Sequence, residues 1–236
     1  MTPSTKLLDR TALERSETIA NSRMNRERNL VGPNSYEKDL GLSPLDLLKS
    51  RLQTRGEVSW LDVCCGSGRA LKQAAQSAHA AGLHQAIHLI GIDLVPMFEA
   101  IPSNLSSIQL ITASVETWET EHRFDLITCV HGLHYIGDKL GLLRRASSWM
   151  KQDGLLLIHV DYRNLKLAAQ PNSSAMIGRD LRRAGFQYSA GRHLLTRCGI
   201  QGDVQLPYRY IGADDNAGPN YTGQEAVDSY YERIRI

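Results

Sequence analysis

Short apolar runs alternate with segments of helical character through the middle of this chain. Runs of mainly apolar residues lie at 58–64, 86–92, 107–113, 124–130 and 154–160. Segments with helical spacing of their apolar residues, or rich in alanine, lie at 69–81, 95–101, 138–150 and 175–184. Short strands separated by helices are typical of βαβ units. The pattern therefore predicts an α/β fold with a mostly parallel sheet and helices on both of its faces.

The N-terminal part of the chain differs from this pattern. Apolar positions are sparse among the first 30 residues, where Thr11 and Glu14 have the spacing of a helix capping box. A weakly anchored helix is expected there. We therefore expect 1–55 to form a helical lid or arm, and 56–236 to form one structural unit.

The C-terminal part shows a third pattern. Two strand-like segments, 192–199 and 204–211, are separated by the short connection 200–203. That spacing predicts an antiparallel hairpin. The tail that follows is polar and rich in glycine and tyrosine, and it predicts no particular element.

Composition narrows the class of protein. A net charge of +2 gives no basic field of the kind that binds a nucleic-acid backbone, and no apolar run reaches membrane-spanning length. The four cysteines lack the spacing of a disulfide framework or a zinc site, and the first residues lack a signal peptide. We therefore expect a cytoplasmic protein with no metal, no membrane partner and no nucleic-acid partner. Its oligomeric state stays open, with a homodimer as one alternative.

The most specific motif lies between Trp60 and Ala70. An apolar run reaches an acid, Asp62, and a small-residue loop with Gly66 and Gly68 leads into an alanine-rich helix. Such a loop brings backbone N–H groups and a helix N-terminus to a ligand. A dinucleotide fingerprint would need G-x-G-x-x-G after the strand, and this loop misses that spacing. The motif therefore indicates a different nucleotide-like cofactor.

This loop resembles the first motif of class I S-adenosylmethionine-dependent methyltransferases, commonly Asp-h-Gly-x-Gly-x-Gly. The match holds at Asp62, Gly66 and Gly68, whereas Cys64 stands where the family usually has glycine. Later segments resemble the family in the same order: Ile90–Leu94, Ala113–Glu116, Phe124–Tyr135 and Met150–Ile158. The resemblance implies a Rossmann-like sheet of seven strands, with the C-terminal hairpin as the sixth and seventh.

The resemblance also implies S-adenosylmethionine as cofactor and S-adenosylhomocysteine as product. In the family, the acid at Asp93 takes the ribose hydroxyls, and the loop at Ser114, where aspartate is frequent, holds the adenine edge. Segments that precede the fold often close over the cofactor, which makes Tyr36 a candidate, with packing as the alternative. The implied cofactor-binding residues are Tyr36, Asp62, Cys64, Gly66, Gly68, Asp93, Leu94, Ser114, Val115 and Val130.

The candidate catalytic residues are His131 and His134. Methyl transfer needs in-line placement of a nucleophile, and a general base where the nucleophile must lose a proton. His131 follows the fourth strand at the ligand-binding end of the sheet and is the best candidate base, with a pocket-shaping role as the alternative. For His134, packing is the favoured interpretation. A metal site at these two residues lacks a third ligand.

These residues predict an enzyme of small-molecule biosynthesis, similar to the type 11 methyltransferases. We expect O- or N-methylation of a small-molecule acceptor, with C-methylation left open. One alternative is a nucleic-acid or peptide methyltransferase, although no Asn-Pro-Pro-Tyr-type motif follows the fourth strand. The other is a regulatory protein that binds the cofactor without catalysis. Arg23, Arg26 and Arg28 either contact an acidic substrate or form a solvated face.

Overall fold

The computed structural model describes residues 7–20, 27–168, 170, 173–199 and 203–235. The helices are α1 (Arg10–Glu14), α2 (Glu17–Ala20), α3 (Tyr36–Leu40), α4 (Pro44–Leu52), α5 (Arg69–Ala80), α6 (Lys139–Ser148) and α7 (Ser173–Arg183). The strands are β1 (Val58–Val63), β2 (Ile87–Asp93), β3 (Ile108–Thr112), β4 (Phe124–Cys129), β5 (Met150–His159), β6 (Leu165–Leu167), β7 (Gln187–Ser189), β8 (Leu194–Cys198), β9 (Tyr208–Asp214) and β10 (Asp228–Arg233).

Seven of these strands form the main sheet, in the order β3-β2-β1-β4-β5-β8-β7. Strands β1 to β5 run parallel to one another, whereas β8 runs antiparallel to both β5 and β7. The strand order reverses between β1 and β4. The predicted α/β fold with a mostly parallel, seven-stranded sheet is confirmed. Ligands of such sheets bind beyond the carboxyl ends of the strands, where the order reverses.

Helices cover both faces of the sheet, as predicted. Side chains alternate along β1, so that Trp60 packs with the apolar residues of α4 and α5 while Leu61 and Val63 pack with those of α6 and α7. Each face therefore has its own apolar core.

The C-terminal strands are arranged differently from the expected hairpin of 192–199 with 204–211. A hairpin does close the main sheet, but it joins β7 to β8. Because β8 has β5 on its other side, both of its edges are taken. Strand β9 therefore belongs to a second, three-stranded sheet in the order β6-β10-β9, whose antiparallel pair is β9 with β10. Part of the expected turn, 200–202, lies outside the described residues.

The segment 95–101, expected to be helical, has no regular secondary structure. Proline lacks a backbone N–H and disfavours a helical conformation in the residue before it, and here Pro96 and Pro102 stand at both ends. The backbone N–H of Glu99 donates instead to the carbonyl of Ser67 in the glycine loop. The segment is thus held by the loop that it borders.

The N-terminal arm, here α1 and α2, packs on the second sheet. Leu8 exchanges two backbone hydrogen bonds with Ala213 of β9. Leu13 is fully buried in a cluster that includes Ala213 and Val227. The cap of α1 is Asp9, whose carboxylate accepts from the N–H of Ala12, rather than the expected Thr11. A boundary at residue 55 stays a prediction.

Candidate active site

The glycine loop joins β1 to α5 through a series of left-handed residues. Gly66 and Gly68 have φ angles of 61° and 73°, a region that glycine enters without steric cost. Gly68 is the N-cap of α5 and supplies no side-chain cap. The start of α5 therefore lacks a side-chain oxygen at its cap, which suits a loop that approaches a negatively charged ligand group.

Cys64 is left-handed too, with φ of 58°. This is the position at which the resembling family usually has glycine, and the backbone conformation explains that preference. For a residue with a Cβ, the left-handed region costs roughly 1–2 kcal/mol. The thiol is packed close to Gly132 in the loop that follows β4. A hydrogen bond with Cys129 and burial raise the pKa of Cys64, so the side chain stays an uncharged thiol.

Asp93 ends β2 beside the glycine loop. Its Oδ2 accepts from the N–H of Gly66 at 2.9 Å, and its Oδ1 accepts from the N–H of Val95 at 3.0 Å. A carboxylate has about four acceptor positions, so these two bonds fix its orientation without exhausting its capacity. The arrangement fits the ribose of a nucleoside, whose two adjacent hydroxyls are donors.

A cleft opens above this loop at the carboxyl ends of β1, β2 and β4. Seven predicted cofactor-binding residues line it: Cys64, Gly66, Asp93, Leu94, Ser114, Val115 and Val130. The arm contributes Leu13, Glu14 and Ile19 to the opposite wall. The structure thus gathers most of the predicted binding residues around one cleft.

Asp62 and Tyr36 lie beneath the cleft and do not line it. The hydroxyl of Tyr36 donates to Asp62 Oδ2 at 2.6 Å, and the hydroxyl of Thr128 donates to Oδ1 at 2.6 Å. Trp60 Nε1 donates to Thr128 in turn, at 2.8 Å. Burial raises the pKa of Asp62 to about 7, although both hydroxyl donors favour the ionised form. This network ties α3 to β1 and β4 directly under the glycine loop.

His131 lies between two residues of the cleft wall, Val130 and Gly132, and has φ of 61°. Its ring is buried and stacks on His159 at a centroid distance of 4.4 Å. Nε2 lies 3.5 Å from Oδ2 of Asp39, and Nδ1 lies 3.1 Å from the hydroxyl of Tyr221. Because a carboxylate only accepts, Asp39 assigns the hydrogen to Nε2 and leaves Nδ1 as an acceptor.

The charge of this imidazole is set by burial and by Asp39. Burial lowers the pKa of His131 below its usual value, and the hydrogen bond with Asp39 offsets part of that effect. Burial disfavours the charge of Asp39 as well, but the hydrogen bond with His131 and the charge of Arg28 together lower its pKa. The imidazole of His131 is therefore neutral near pH 7 and lies beside a carboxylate that stabilises its protonated form.

His134 and His159 are buried, neutral neighbours of His131. Burial lowers the pKa of both, to about 3 for His159. Neither ring nitrogen of His134 has a hydrogen-bond partner within the described parts of the chain. The ring packs edge-on against Tyr221 at a centroid distance of 5.2 Å. These contacts place His134 beside His131 and Tyr221, and its catalytic role stays a prediction.

Where the structure describes the chain, three or more His, Cys, Asp or Glu residues are nowhere grouped so as to hold a metal ion. Its helices, over the same ranges, are all too short or too polar to cross a membrane.

Comparison with known proteins identifies the family. The sequence profile described as "Methyltransferase domain" matches residues 19–196. The chain belongs to the methyltransferase domain family. It is 28% identical over 138 residues to (S)-coclaurine N-methyltransferase of Papaver somniferum, a match that covers 55% of this chain and 37% of that protein. The chain therefore matches little more than a third of the length of that curated relative.

Two further relatives carry similar names. Pavine N-methyltransferase of Thalictrum flavum subsp. glaucum is 26% identical over 114 residues, covering 48% of this chain and 32% of its own. The crystal structure of coclaurine N-methyltransferase bound to N-methylheliamine and S-adenosylhomocysteine has a TM-score of 0.40 and 23% identity, and covers 56% of this chain and 40% of that chain.

Several site residues of this methyltransferase domain protein carry no local signal in the sequence. Asp39 lies in the short helix α3, Tyr221 lies in the C-terminal tail, and Glu14 lies in the arm. Each reaches the site only through tertiary packing. His159 is the exception. It is the last residue of β5, at the ligand-binding edge of the sheet, so its place at the end of an apolar run could have identified it as a site residue.

Arg28 and Asp161 each form an ion pair near the site. Arg28 binds Asp39 at 2.5 Å, whereas Arg23 and Arg26 lie outside the described residues. Asp161, which follows β5, is buried and holds Arg163 at 2.7 Å. Arg28 therefore acts on the site through Asp39.

Proposed function

We propose that this protein transfers a methyl group from S-adenosylmethionine to a nitrogen or oxygen atom of a small molecule. The observation that carries the proposal is the placement of His131 between Val130 and Gly132, two residues that line the same cleft as Asp93. A cofactor site and a buried neutral base thus share one edge of the sheet. When bound, the cofactor supplies an electrophilic methyl group on a sulfonium.

The cofactor-binding role is assigned to the residues that line the cleft. Asp93 would accept hydrogen bonds from the ribose, and the left-handed loop at Gly66 would allow close backbone approach. Asp62 and Tyr36 support that loop from below through their 2.6 Å hydrogen bond. We therefore assign them a positioning role, which differs from the direct contact that the family resemblance implies.

The base role is assigned to Nδ1 of His131. A neutral amine or hydroxyl that attacks a methyl group becomes more acidic, and its proton must leave. Nδ1 is the acceptor nitrogen, and Asp39 stabilises the imidazolium that forms when it takes the proton. Nδ1 accepts from the Tyr221 hydroxyl at 3.1 Å, so the substrate proton would pass through this hydroxyl, which gives its own hydrogen to Nδ1 and takes the hydrogen of the substrate.

Nitrogen is the favoured acceptor atom, because the curated relatives are named N-methyltransferases. Those names describe proteins matched over about a third of their length, so the acceptor of this chain is a separate question. A cytoplasmic location, a homodimer and the absence of a nucleic-acid partner stay predictions.

Titration calorimetry with S-adenosylhomocysteine tests the cofactor assignment, and we expect saturable binding with one site per chain. No heat at millimolar ligand would overturn the proposal. A screen of amines and phenols with methyl-labelled S-adenosylmethionine then tests transfer. Binding without labelled product from any acceptor would favour a regulatory, non-catalytic protein.

A further inference from the structure

The arm places a carboxylate against the loop that follows β3. Oε1 of Glu14 accepts a hydrogen bond of 2.5 Å from the hydroxyl of Ser114, although the two residues are 100 positions apart. Both side chains line the cleft that contains Asp93. An acid from outside the main sheet therefore faces the same space as the ribose-binding acid.

The order of the strands shows which part of a nucleoside reaches this pair. Asp93 ends β2, and β3 is the next strand outward in the sheet. If Asp93 holds the ribose, the base extends towards β3 and the Ser114 loop. Leu94 and Val115 give that end of the cleft apolar walls, which suit the faces of a flat aromatic base.

The hydrogen-bonding character of this end follows from Ser114. A serine hydroxyl has one hydrogen, and Ser114 donates it to Glu14. What the two side chains present to a ligand is then lone pairs on a hydroxyl and on a carboxylate. An edge with acceptors alone binds an amino group and repels a carbonyl group.

We propose that Glu14 binds the cofactor's base: with Ser114 it forms an acceptor-only clamp that selects a purine with an exocyclic amine over a 6-oxo purine. The inference rests on the proposed function, because it assumes a nucleoside cofactor in this cleft. In the resembling family, aspartate is frequent at the position of Ser114. In this chain the arm would supply the carboxylate instead, through Glu14.

The clamp can form only while the arm is docked on the rest of the protein. Leu8 pairs with Ala213, and the hydroxyl of Thr18 donates to the carbonyl of Asp215 at 3.2 Å. Glu14 reaches the cleft only while these contacts hold. Since linked equilibria are reciprocal, a bound purine amine stabilises the docked arm by the same free energy.

The experiment compares two ligands on three proteins by titration calorimetry. The ligands are S-adenosylhomocysteine and S-inosylhomocysteine, whose bases carry an exocyclic amine and a 6-oxo group, the second with a hydrogen on N1 as well. The proteins are the wild type, Glu14→Gln, and Glu17→Gln as an exposed control in the arm. We expect wild type and control to prefer S-adenosylhomocysteine by at least tenfold, because a hydrogen bond to a charged group is worth about 10- to 100-fold in affinity.

In Glu14→Gln we expect this preference to fall to threefold or less, because the glutamine amide also donates. A preference unchanged from wild type would overturn the inference while leaving the proposed function intact. No binding of S-adenosylhomocysteine to wild type would overturn both.

A second test moves the carboxylate from position 14 to position 114, and it adds proteolysis of the arm as a readout. Ser114→Asp places two carboxylates together, so we expect faster proteolysis of the arm and weaker S-adenosylhomocysteine binding. The double variant of Ser114→Asp with Glu14→Gln has one carboxylate at the clamp. We expect it to recover the protease resistance of the arm and the affinity for S-adenosylhomocysteine. Failure of the double variant to bind better than Ser114→Asp would count against the clamp.

Discussion

The Cβ of Cys64 lies 2.2 Å from the point that a Cβ on Gly132 would occupy, and its Sγ lies 3.0 Å from that point. The glycine loop and the loop that carries His131 are therefore packed against each other with no space for one methyl group. Cys64, the residue that departs from the family pattern, fills that space. The contact between Cys64 and Gly132 therefore joins the loop that lines the cofactor cleft to the loop that carries the candidate base.

This contact predicts that Gly132→Ala destabilises the fold and that Cys64→Gly restores it. An added methyl in a filled space costs typically 1–3 kcal/mol. Removing the Cys64 side chain makes room, and it also removes the left-handed strain of a residue with a Cβ. The free energies of unfolding of both single variants and of the double variant, measured in urea, test the coupling.

Gly56→Ala is the matched control, because a Cβ there would meet no atom within 4 Å. If Gly132→Ala proves as stable as this control, or the double variant as unstable as Gly132→Ala, the packing described here is wrong.

The strands of the main sheet were predictable because each is a short apolar run with clear limits. Where the sequence misled, the deciding interaction was distant. The segment 95–101 has enough apolar residues for a helix, but prolines at both ends and the hydrogen bond from Glu99 to Ser67 keep it without regular secondary structure. Strand β9 pairs with β10 because the edges of β8 are already occupied.

The same distinction applies to the candidate site. Gly66 and Asp93 lie within local motifs, so their placement at the cleft followed from the sequence. Asp39 and Tyr221 come from opposite ends of the chain and meet only at His131. No spacing rule joins positions so far apart, and no motif marks them.

Asp62 predicts a specific dependence of stability on pH. Its pKa is about 7 in the folded protein and about 3.9 in an unfolded chain, so the folded state binds more protons between these values. Stability should therefore fall as pH rises from 4 to 7. From pH 5 to pH 8 the contribution of this group is a loss of roughly 2–3 kcal/mol.

Asp62→Asn removes that titration while keeping the shape of the side chain. Between pH 5 and pH 8, we therefore expect the unfolding free energy of the variant to fall by about 2–3 kcal/mol less than that of the wild type. Urea titrations of both proteins at the two pH values measure it. Identical pH profiles would show that Asp62 is ionised throughout, against the burial described here.

His131→Ala predicts a separation of catalysis from cofactor binding. The side chain lies outside the cleft wall, so the affinity for S-adenosylhomocysteine should stay within about twofold of wild type. Turnover with an acceptor found by the screen should fall at least tenfold, because a positioned general base contributes about 10²–10⁴-fold. Calorimetry and initial rates give the two quantities. An unchanged rate would remove His131 from the base role.

Asp39→Asn should lower the pKa of His131 still further, because the carboxylate is the group that favours the imidazolium. The imidazole Cε1–H resonances, followed by NMR against pH, report this value without an acceptor. The rate should fall at neutral pH, and the acid limb of kcat/KM should move to lower pH, since more acid is then needed to protonate His131. Glu37→Gln, an exposed change in the same helix, should alter neither property. A purely structural role for Asp39 would lower the rate and leave the acid limb in place, so the position of that limb decides between the two.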